Sequence, residues 1–183
     1  MRTFVQAVLA TGALAASGGL AAQESGGYLG GSLGQAKFTE WCDGALASCK
    51  DTDTAWKLFG GYSFNRYFAV EGTYINWGEV TATTVGAISV AAKQQSYGIA
   101  AVGSLPLGPQ FAVFGKLGLL HTMQETSRIS GPNPSTVERD DNELHYGLGA
   151  RYSLARNWAL RGEWENTEKL KVQMLSIGAE YRF

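Results

Sequence analysis

The feature that most constrains this chain is an alternation of apolar and polar residues with a period of two, repeated along almost its whole length. Eight segments of about ten residues show it. They lie near 27–37, 55–64, 67–77, 94–105, 110–121, 143–153, 157–166 and 171–183. Because successive side chains of a strand point to opposite faces, the pattern predicts eight β-strands, each with one apolar and one polar face.

The connections between these segments alternate in length. Short turns are expected at 65–66, 106–109 and 155–157. Longer polar connections are expected at 38–54, 78–93 and 122–142, with a shorter fourth at 167–170. Tight turns at one end and longer loops at the other are typical of outer-membrane barrels. We therefore predict an all-β fold, an eight-stranded antiparallel up-and-down transmembrane β-barrel with both chain ends on one side.

The apolar face is expected to contact lipid. Charged residues make up 17% of the chain, below the roughly 25% of an average soluble protein. Beyond residue 22 no uncharged apolar run approaches the ~18 residues of a membrane helix, so any crossing must use strands. The residues expected to face lipid are Tyr62, Phe64, Val70, Leu117, Leu119, Tyr152, Leu160, Trp164, Leu175, Ile177 and Tyr181.

The opposite face carries charges in the middle of the strands. Unpaired charges are costly in a narrow, dry interior, so we expect acids and bases to pair inside the barrel. The expected network consists of Glu71, Lys116, Arg151, Arg161, Glu163, Glu180 and Arg182. Eight strands enclose just enough space for side chains, which favours a filled lumen. A narrow ion or small-solute pore is the alternative.

The first 22 residues have the layout of a secretory signal. Arg2 supplies the positive start, residues 4–16 are apolar, and residues 17–22 are rich in small residues, with cleavage expected after Ala22. A retained membrane helix is the weaker alternative, because the apolar stretch is short. The expected division is a signal peptide over 1–22 and a barrel domain over 23–183.

The two cysteines, Cys42 and Cys49, are expected to form a disulfide in the first long connection, since an exported protein meets an oxidising compartment. A metal site there would need further ligands, and no other Cys or His lies nearby. The formal net charge is −1, with no basic patch, so we expect no nucleic-acid partner. We expect no cofactor either.

Several stretches together resemble the OmpA-type transmembrane domain of the outer-membrane β-barrel superfamily. The stretches are 28–34, 59–74, 146–152, 160–164 and 177–183, including the Phe-Gly-Gly-Tyr run that starts at Phe59. The resemblance implies that the terminal aromatic residue, Phe183, is an assembly signal read by the barrel-assembly machinery. The chain has Ser32 where family members carry a charged residue in strand one, so its internal ion pairs should differ. Larger members of the family carry a peptidoglycan-binding domain after the barrel; the sequence given ends at Phe183, so we do not expect peptidoglycan anchoring.

Catalytic chemistry is not expected. A lipid A deacylase would pair a His with a Ser two residues later, whereas His121 and His145 are followed at that distance by Met123 and Gly147. Both histidines are interpreted as solvated rim residues. The acidic run at 138–143 lacks the glycine and terminal glutamate of a calcium loop, and is interpreted as a solvated loop face.

The sequence therefore predicts a structural and interaction protein of the bacterial outer membrane. It would support envelope integrity and present surface loops. The expected partners are outer-membrane lipids and lipopolysaccharide, the assembly machinery during biogenesis, and an extracellular loop partner whose identity the sequence does not show. The alternatives are the narrow pore and, more remotely, a lipid-modifying enzyme.

Overall fold

The computed structural model of the protein describes residues 25–39, 46–84, 89–130, 133–169 and 171–183. Within these ranges the chain forms nine β-strands. They are β1 (Gly26–Phe38), β2 (Leu46–Lys50), β3 (Thr52–Ser63), β4 (Phe68–Thr84), β5 (Ser89–Pro106), β6 (Phe111–Ser130), β7 (Asn133–Ser153), β8 (Trp158–Thr167) and β9 (Val172–Arg182). The described residues include no helix long and apolar enough to cross a membrane.

Eight of these strands close into a barrel. Going around the wall, the order is β1, β3, β4, β5, β6, β7, β8 and β9, and every neighbouring pair is antiparallel. The barrel closes where β9 pairs with β1, from Tyr28 opposite Arg182 to Phe38 opposite Val172. The predicted eight-stranded up-and-down architecture is confirmed. The ninth strand, β2, is a short element of the first long connection and pairs only with the end of β4.

The outer surface carries a continuous apolar band. Leu33 lies opposite Ile177 across the closing seam, and these side chains are 64% and 67% exposed. Apolar side chains this exposed are suited to contact with lipid, because exposing so large an apolar surface to water is unfavourable. The structure places on this outer face Tyr62, Phe64, Val70, Leu117, Leu119, Tyr152, Leu160, Trp164, Leu175, Ile177 and Tyr181.

Two of the connections expected to be loops are largely strand. β4 continues to Thr84 and β5 begins at Ser89, while β6 runs to Ser130 and β7 begins at Asn133. The loop prediction for 78–93 and 122–142 was therefore wrong, as it was for 46–50. These segments are polar because they stand beyond the apolar band, and they stay extended because each pairs its backbone with its neighbour, as in Gln124 opposite Arg139.

A β-bulge marks the place where β4 leaves the barrel wall. The register between β4 and β5 shifts between Asn76 and Gly78, and Gly78 has a φ of 87°, a conformation that favours glycine. The Asp53 carboxylate accepts a hydrogen bond from the Glu79 N–H at 2.8 Å. The bulge lets β4 exchange β3 for β2 as its neighbour above the wall.

The close packing of β5 and β6 predicts different effects for two glycines of the same strand. A Cβ at Gly98 would lie 2.0 Å from the Leu119 carbonyl oxygen, whereas a Cβ at Gly103 would meet nothing within 4 Å. Gly98→Ala should therefore destabilise the barrel by about 1–3 kcal/mol, because backbone must move. The matched control, Gly103→Ala, should leave stability nearly unchanged. Urea unfolding in lipid vesicles, followed by tryptophan fluorescence, measures both, and equal effects would contradict this account of the wall.

Candidate functional site in the barrel lumen

The centre of the lumen is an ion pair between Glu71 on β4 and Arg161 on β8, on opposite walls of the barrel. The contact is bidentate, with Arg161 Nη1 2.6 Å from Glu71 Oε2 and Nη2 3.1 Å from Oε1. Both side chains are at most 1% exposed. The Tyr28 hydroxyl donates a further hydrogen bond to Glu71 at 3.1 Å. Two parallel hydrogen bonds fix the orientation of both groups as well as their distance.

Two aromatic rings hold the Arg161 guanidinium between them. Its central carbon lies 4.3 Å from the centroid of the Phe59 ring and 4.5 Å from that of Phe114. Each ring fits against a glycine, since a Cβ at Gly30 or at Gly149 would lie 2.3 Å from the ring it faces. The glycines thus make room for the rings, and the rings stabilise a buried cation through their π faces.

Two lysines and two glutamates extend the network upward from Arg161. Glu163 Oε1 lies 2.6 Å from Arg161 Nε, and Glu163 Oε2 lies 2.7 Å from Lys116 Nζ. Lys57 Nζ lies 2.9 Å from Glu163 and 2.6 Å from Glu165. Lys116 also contacts Glu165. Because each lysine contacts both glutamates, removing any member weakens the pairing of more than one charge.

Two members of this cluster, Lys57 and Glu165, were absent from the expected network. The alternation of faces did indicate both. Lys57 is an odd number of residues from the outward-facing Tyr62 and so faces inward, and Glu165 follows the inward-facing Arg161 and Glu163 in steps of two. They lie near the ends of their predicted segments, where parity alone does not show whether a side chain is still inside. Lys57 lies directly opposite Ser32, so β3 supplies the charge that β1 lacks.

Above the ions a chain of polar side chains crosses from β7 to β4. The Thr122 hydroxyl donates to Glu143 Oε1 at 2.6 Å and lies 2.6 Å from the Ser96 hydroxyl. Trp77 Nε1 donates to Ser96 at 2.7 Å. Each of these polar groups is buried and has a partner in the chain.

The two histidines lie in different surroundings. His145 Nε2 lies 3.0 Å from Glu165 inside the barrel, and the residue is 1% exposed. Its interpretation as a solvated rim residue was wrong, because β7 already begins at Asn133, so His145 lies well inside the strand and on its inward face. His121 is on the outer face, with Nδ1 2.9 Å from Asn142 Oδ1.

An apolar cluster fills the lumen on the side of the long hairpins. It joins residues from six strands of the wall, and its largest member, Trp77, is fully buried. The cluster consists of Ala36, Phe38, Ala55, Ile75, Trp77, Val80, Ala92, Leu120, Val172 and Met174. A hydrated ion would lose its water in crossing such a layer, so the cluster is a barrier to ions at this end of the described lumen.

At the opposite end the network finishes in two arginines that share one carboxylate. Arg151 Nε lies 3.1 Å from Glu180, Arg182 Nε lies 2.8 Å from the same group, and Arg161 reaches it at 3.3 Å. Arg182 is the most exposed member of the network, with 39% of its side chain accessible. All seven residues of the expected network thus lie in ion pairs.

Comparison with known proteins identifies the family. A family model described as "Outer membrane protein beta-barrel domain" matches residues 6–183. The chain belongs to this family. A search of curated proteins finds no match. Membership places this outer-membrane barrel protein in the bacterial outer membrane, in agreement with the apolar band around its wall.

Solved structures show the same fold at low sequence identity. Ail, the attachment invasion locus protein of Yersinia pestis, is 20% identical with a TM-score of 0.55, and the match covers 87% of this chain and 97% of that one. The N-terminal barrel of Pseudomonas aeruginosa OprF is 13% identical, with a TM-score of 0.58 and coverage of 86% and 98%. OprG from the same species is 15% identical, with a TM-score of 0.58 and coverage of 87% and 97%.

The remaining predicted sites lie at the ends of the molecule. The signal segment 1–22 and Cys42 fall outside the described residues, so cleavage and the disulfide between Cys42 and Cys49 stay predictions. Phe183 is 63% exposed, and its N–H donates to the Gly27 carbonyl at 3.0 Å. No group of three or more metal-ligating side chains occurs in the described part of the chain.

The lumen network predicts a large loss of stability when its central cation is removed. Arg161→Gln would leave Glu71, Glu163 and Glu180 without their shared partner, and breaking a buried pair in this way costs about 3–5 kcal/mol. The control is Arg139→Gln, which removes an exposed arginine paired with Asp141 and should change stability little. Urea titrations in lipid vesicles compare the two. A loss no greater than that of the control would contradict the central position of Arg161.

Proposed function

We propose that this outer-membrane barrel protein is a structural and interaction protein that supports envelope integrity and presents a binding surface outside the cell. The observation that carries the proposal is the continuation of β4–β7 beyond the barrel wall, above a lumen filled by ion pairs and an apolar cluster. A filled barrel is a rigid support. The paired strands above it hold a surface at a fixed place.

The outer edge of β7 supports a role in protein binding. β8 ends opposite His145, and the Leu144 carbonyl accepts the last backbone bond on that side, from the Glu168 N–H at 3.1 Å. The N–H and C=O groups of alternate residues point to the same edge of a strand. Those of Asp140 therefore point, like those of Leu144, to the edge of β7 that faces away from β6. No other strand of the described chain pairs with β7 above this level. Lys169 Nζ donates to the Asn142 carbonyl at 2.6 Å, and an edge that has no strand partner beyond this point can add an extended segment of a partner.

Charge further limits the partner. The expected extracellular connections, 38–54, 78–93, 122–142 and 167–170, contain ten acids and five bases, a net charge of −5. Ail has been solved in complex with the heparin analogue sucrose octasulfate. The acidic exterior of the present chain disfavours such a polyanion, and favours a basic protein surface or lipopolysaccharide phosphates bridged by divalent cations.

The other proposed partners follow from the wall of the barrel. The apolar band contacts outer-membrane lipids, and the exposed C-terminal Phe183 is available to the barrel-assembly machinery during biogenesis. Catalysis has no support among the described residues: the hydrogen bonds of His145 and His121 go to Glu165 and Asn142, and neither ring contacts a hydroxyl nucleophile. We therefore propose a protein without enzymatic activity.

The orientation is tested by labelling intact cells with a membrane-impermeant maleimide. Asp140→Cys should react, because this residue stands on the proposed extracellular extension, and Arg156→Cys should not, because it lies in a turn at the other end. The wild-type protein is the control and should remain unlabelled if Cys42 and Cys49 are joined. Labelling of Arg156→Cys alone would reverse the orientation.

The structural role predicts altered permeability but no current. Cells lacking the protein should take up more of the hydrophobic dye N-phenylnaphthylamine, and the wild-type gene should restore exclusion. Purified protein in planar bilayers should give no single-channel steps, since the apolar cluster closes the lumen. Reproducible currents that change in the Glu71→Gln variant would instead establish the pore, and unchanged dye uptake in the deletion strain would remove the envelope role.

A further inference from the structure

The barrel mouth opposite the long hairpins contains a cavity of about 140 Å³. The short turns surround it, and the polar side chains that line it include Arg66, Arg151, Arg182, Ser63, Ser104 and Ser153. Arginine guanidiniums and serine hydroxyls are all hydrogen-bond donors, and no acidic side chain lines the cavity. The lining is therefore chemically suited to an anion.

Two of these arginines are held in place with donors to spare. Arg151 and Arg182 both use Nε to bind Glu180, and within the described part of the chain no terminal nitrogen of either one takes part in a hydrogen bond or ion pair. Each guanidinium also faces an aromatic ring, Arg151 at 5.4 Å from the Phe114 centroid and Arg182 at 5.9 Å from that of Tyr28. Because these contacts already restrict both arginine side chains, binding a ligand would cost little further side-chain entropy.

Guanidinium groups outnumber carboxylates at this end. Among the side chains of the described residues, Glu180 is the acid beside the mouth, and it is shared among Arg151, Arg161 and Arg182, while the α-carboxylate of Phe183 ends β9 at the same rim. The turns at 64–67, 106–110 and 154–157 add Arg66 and Arg156 and contain no acid. The opposite end carries the acidic connections, so the mouth is the positive end of the molecule. An anion at this place would balance the excess of guanidinium groups over carboxylates.

We propose that the mouth is a binding site for a small oxyanion, a phosphate or carboxylate group, held by the terminal nitrogens of Arg151 and Arg182 and by the serine hydroxyls. The planar fork of a guanidinium matches two oxygens of such a group. The same chemistry is offered by a free anion and by the phosphate of a lipid headgroup in the adjoining leaflet. The site is independent of the extracellular surface proposed above.

The test is a titration with inorganic phosphate of the full barrel, refolded at low salt in a non-ionic maltoside detergent that carries no oxyanion. Binding is followed by calorimetry and by the NMR signals of the arginine side chains. We expect saturable binding that shifts the signals of Arg151 and Arg182, and at least tenfold weaker binding in Arg182→Gln. Arg156→Gln removes an equal charge from a turn outside the lining and should bind as the wild type does.

A second variant, Arg182→Lys, separates recognition from charge and from folding. It keeps the positive charge but loses the planar guanidinium, so it should bind phosphate more weakly than the wild type. Its folding is checked by SDS gels, on which the folded barrel should change mobility on boiling as the wild type does. Non-saturable binding, or equal weakening in Arg182→Gln and Arg156→Gln, would mean only a diffuse counterion and would overturn the proposal.

Nanodiscs distinguish the two sources of the anion. If lipid phosphate occupies the site, phospholipid nanodiscs should reduce phosphate binding by the wild type relative to a phosphate-free maltoside detergent, because every phospholipid headgroup carries the competing group. If the ligand is a free anion, phosphate should bind equally in the discs and in the detergent. Each result supports the site and identifies its ligand, whereas absence of saturable binding in both the detergent and the discs would overturn it.

Discussion

Backbone hydrogen bonding in lipid is the constraint on which the rest of this structure depends. A strand that faces hydrocarbon on one side has no water to satisfy its N–H and C=O groups, so the sheet must close. Here closure is completed by β9 against β1. Eight strands leave a lumen only as wide as side chains. The closure of the wall thus determines that whatever charge points inward must find a partner inside.

The lumen meets that requirement through a division into layers. Arg151, Arg182 and Glu180 occupy one mouth, the bidentate pair of Arg161 and Glu71 the centre, and an apolar cluster the end below the long hairpins. The central cation is stabilised by carboxylates and by two aromatic rings, for which Gly30 and Gly149 leave space. These two glycines therefore contribute to the stabilisation of a buried charge as well as to close packing. Because the lumen is filled, the two binding surfaces that we propose lie at the ends of the barrel.

Much of the fold was predictable because its signal is local. Alternation with period two located all eight strands of the wall and assigned faces to residues such as Leu175 and Glu180. It failed where a polar sequence is also extended, at 78–93 and 122–142, since a strand above the membrane has no apolar face to reveal it. There, backbone pairing with the neighbouring strand determines whether the segment is a strand or a loop, as the pairing of Gln124 with Arg139 shows.

The sequence by itself determined the class of the protein, seven of its inward charges and the need for those charges to pair. It did not determine which charges meet, because partners such as Lys57 and Glu165 are 108 residues apart and come together only when the barrel closes. The same holds for the burial of His145 and for the rings around Arg161. Those contacts depend on the stagger and curvature of the closed sheet, which no local pattern encodes.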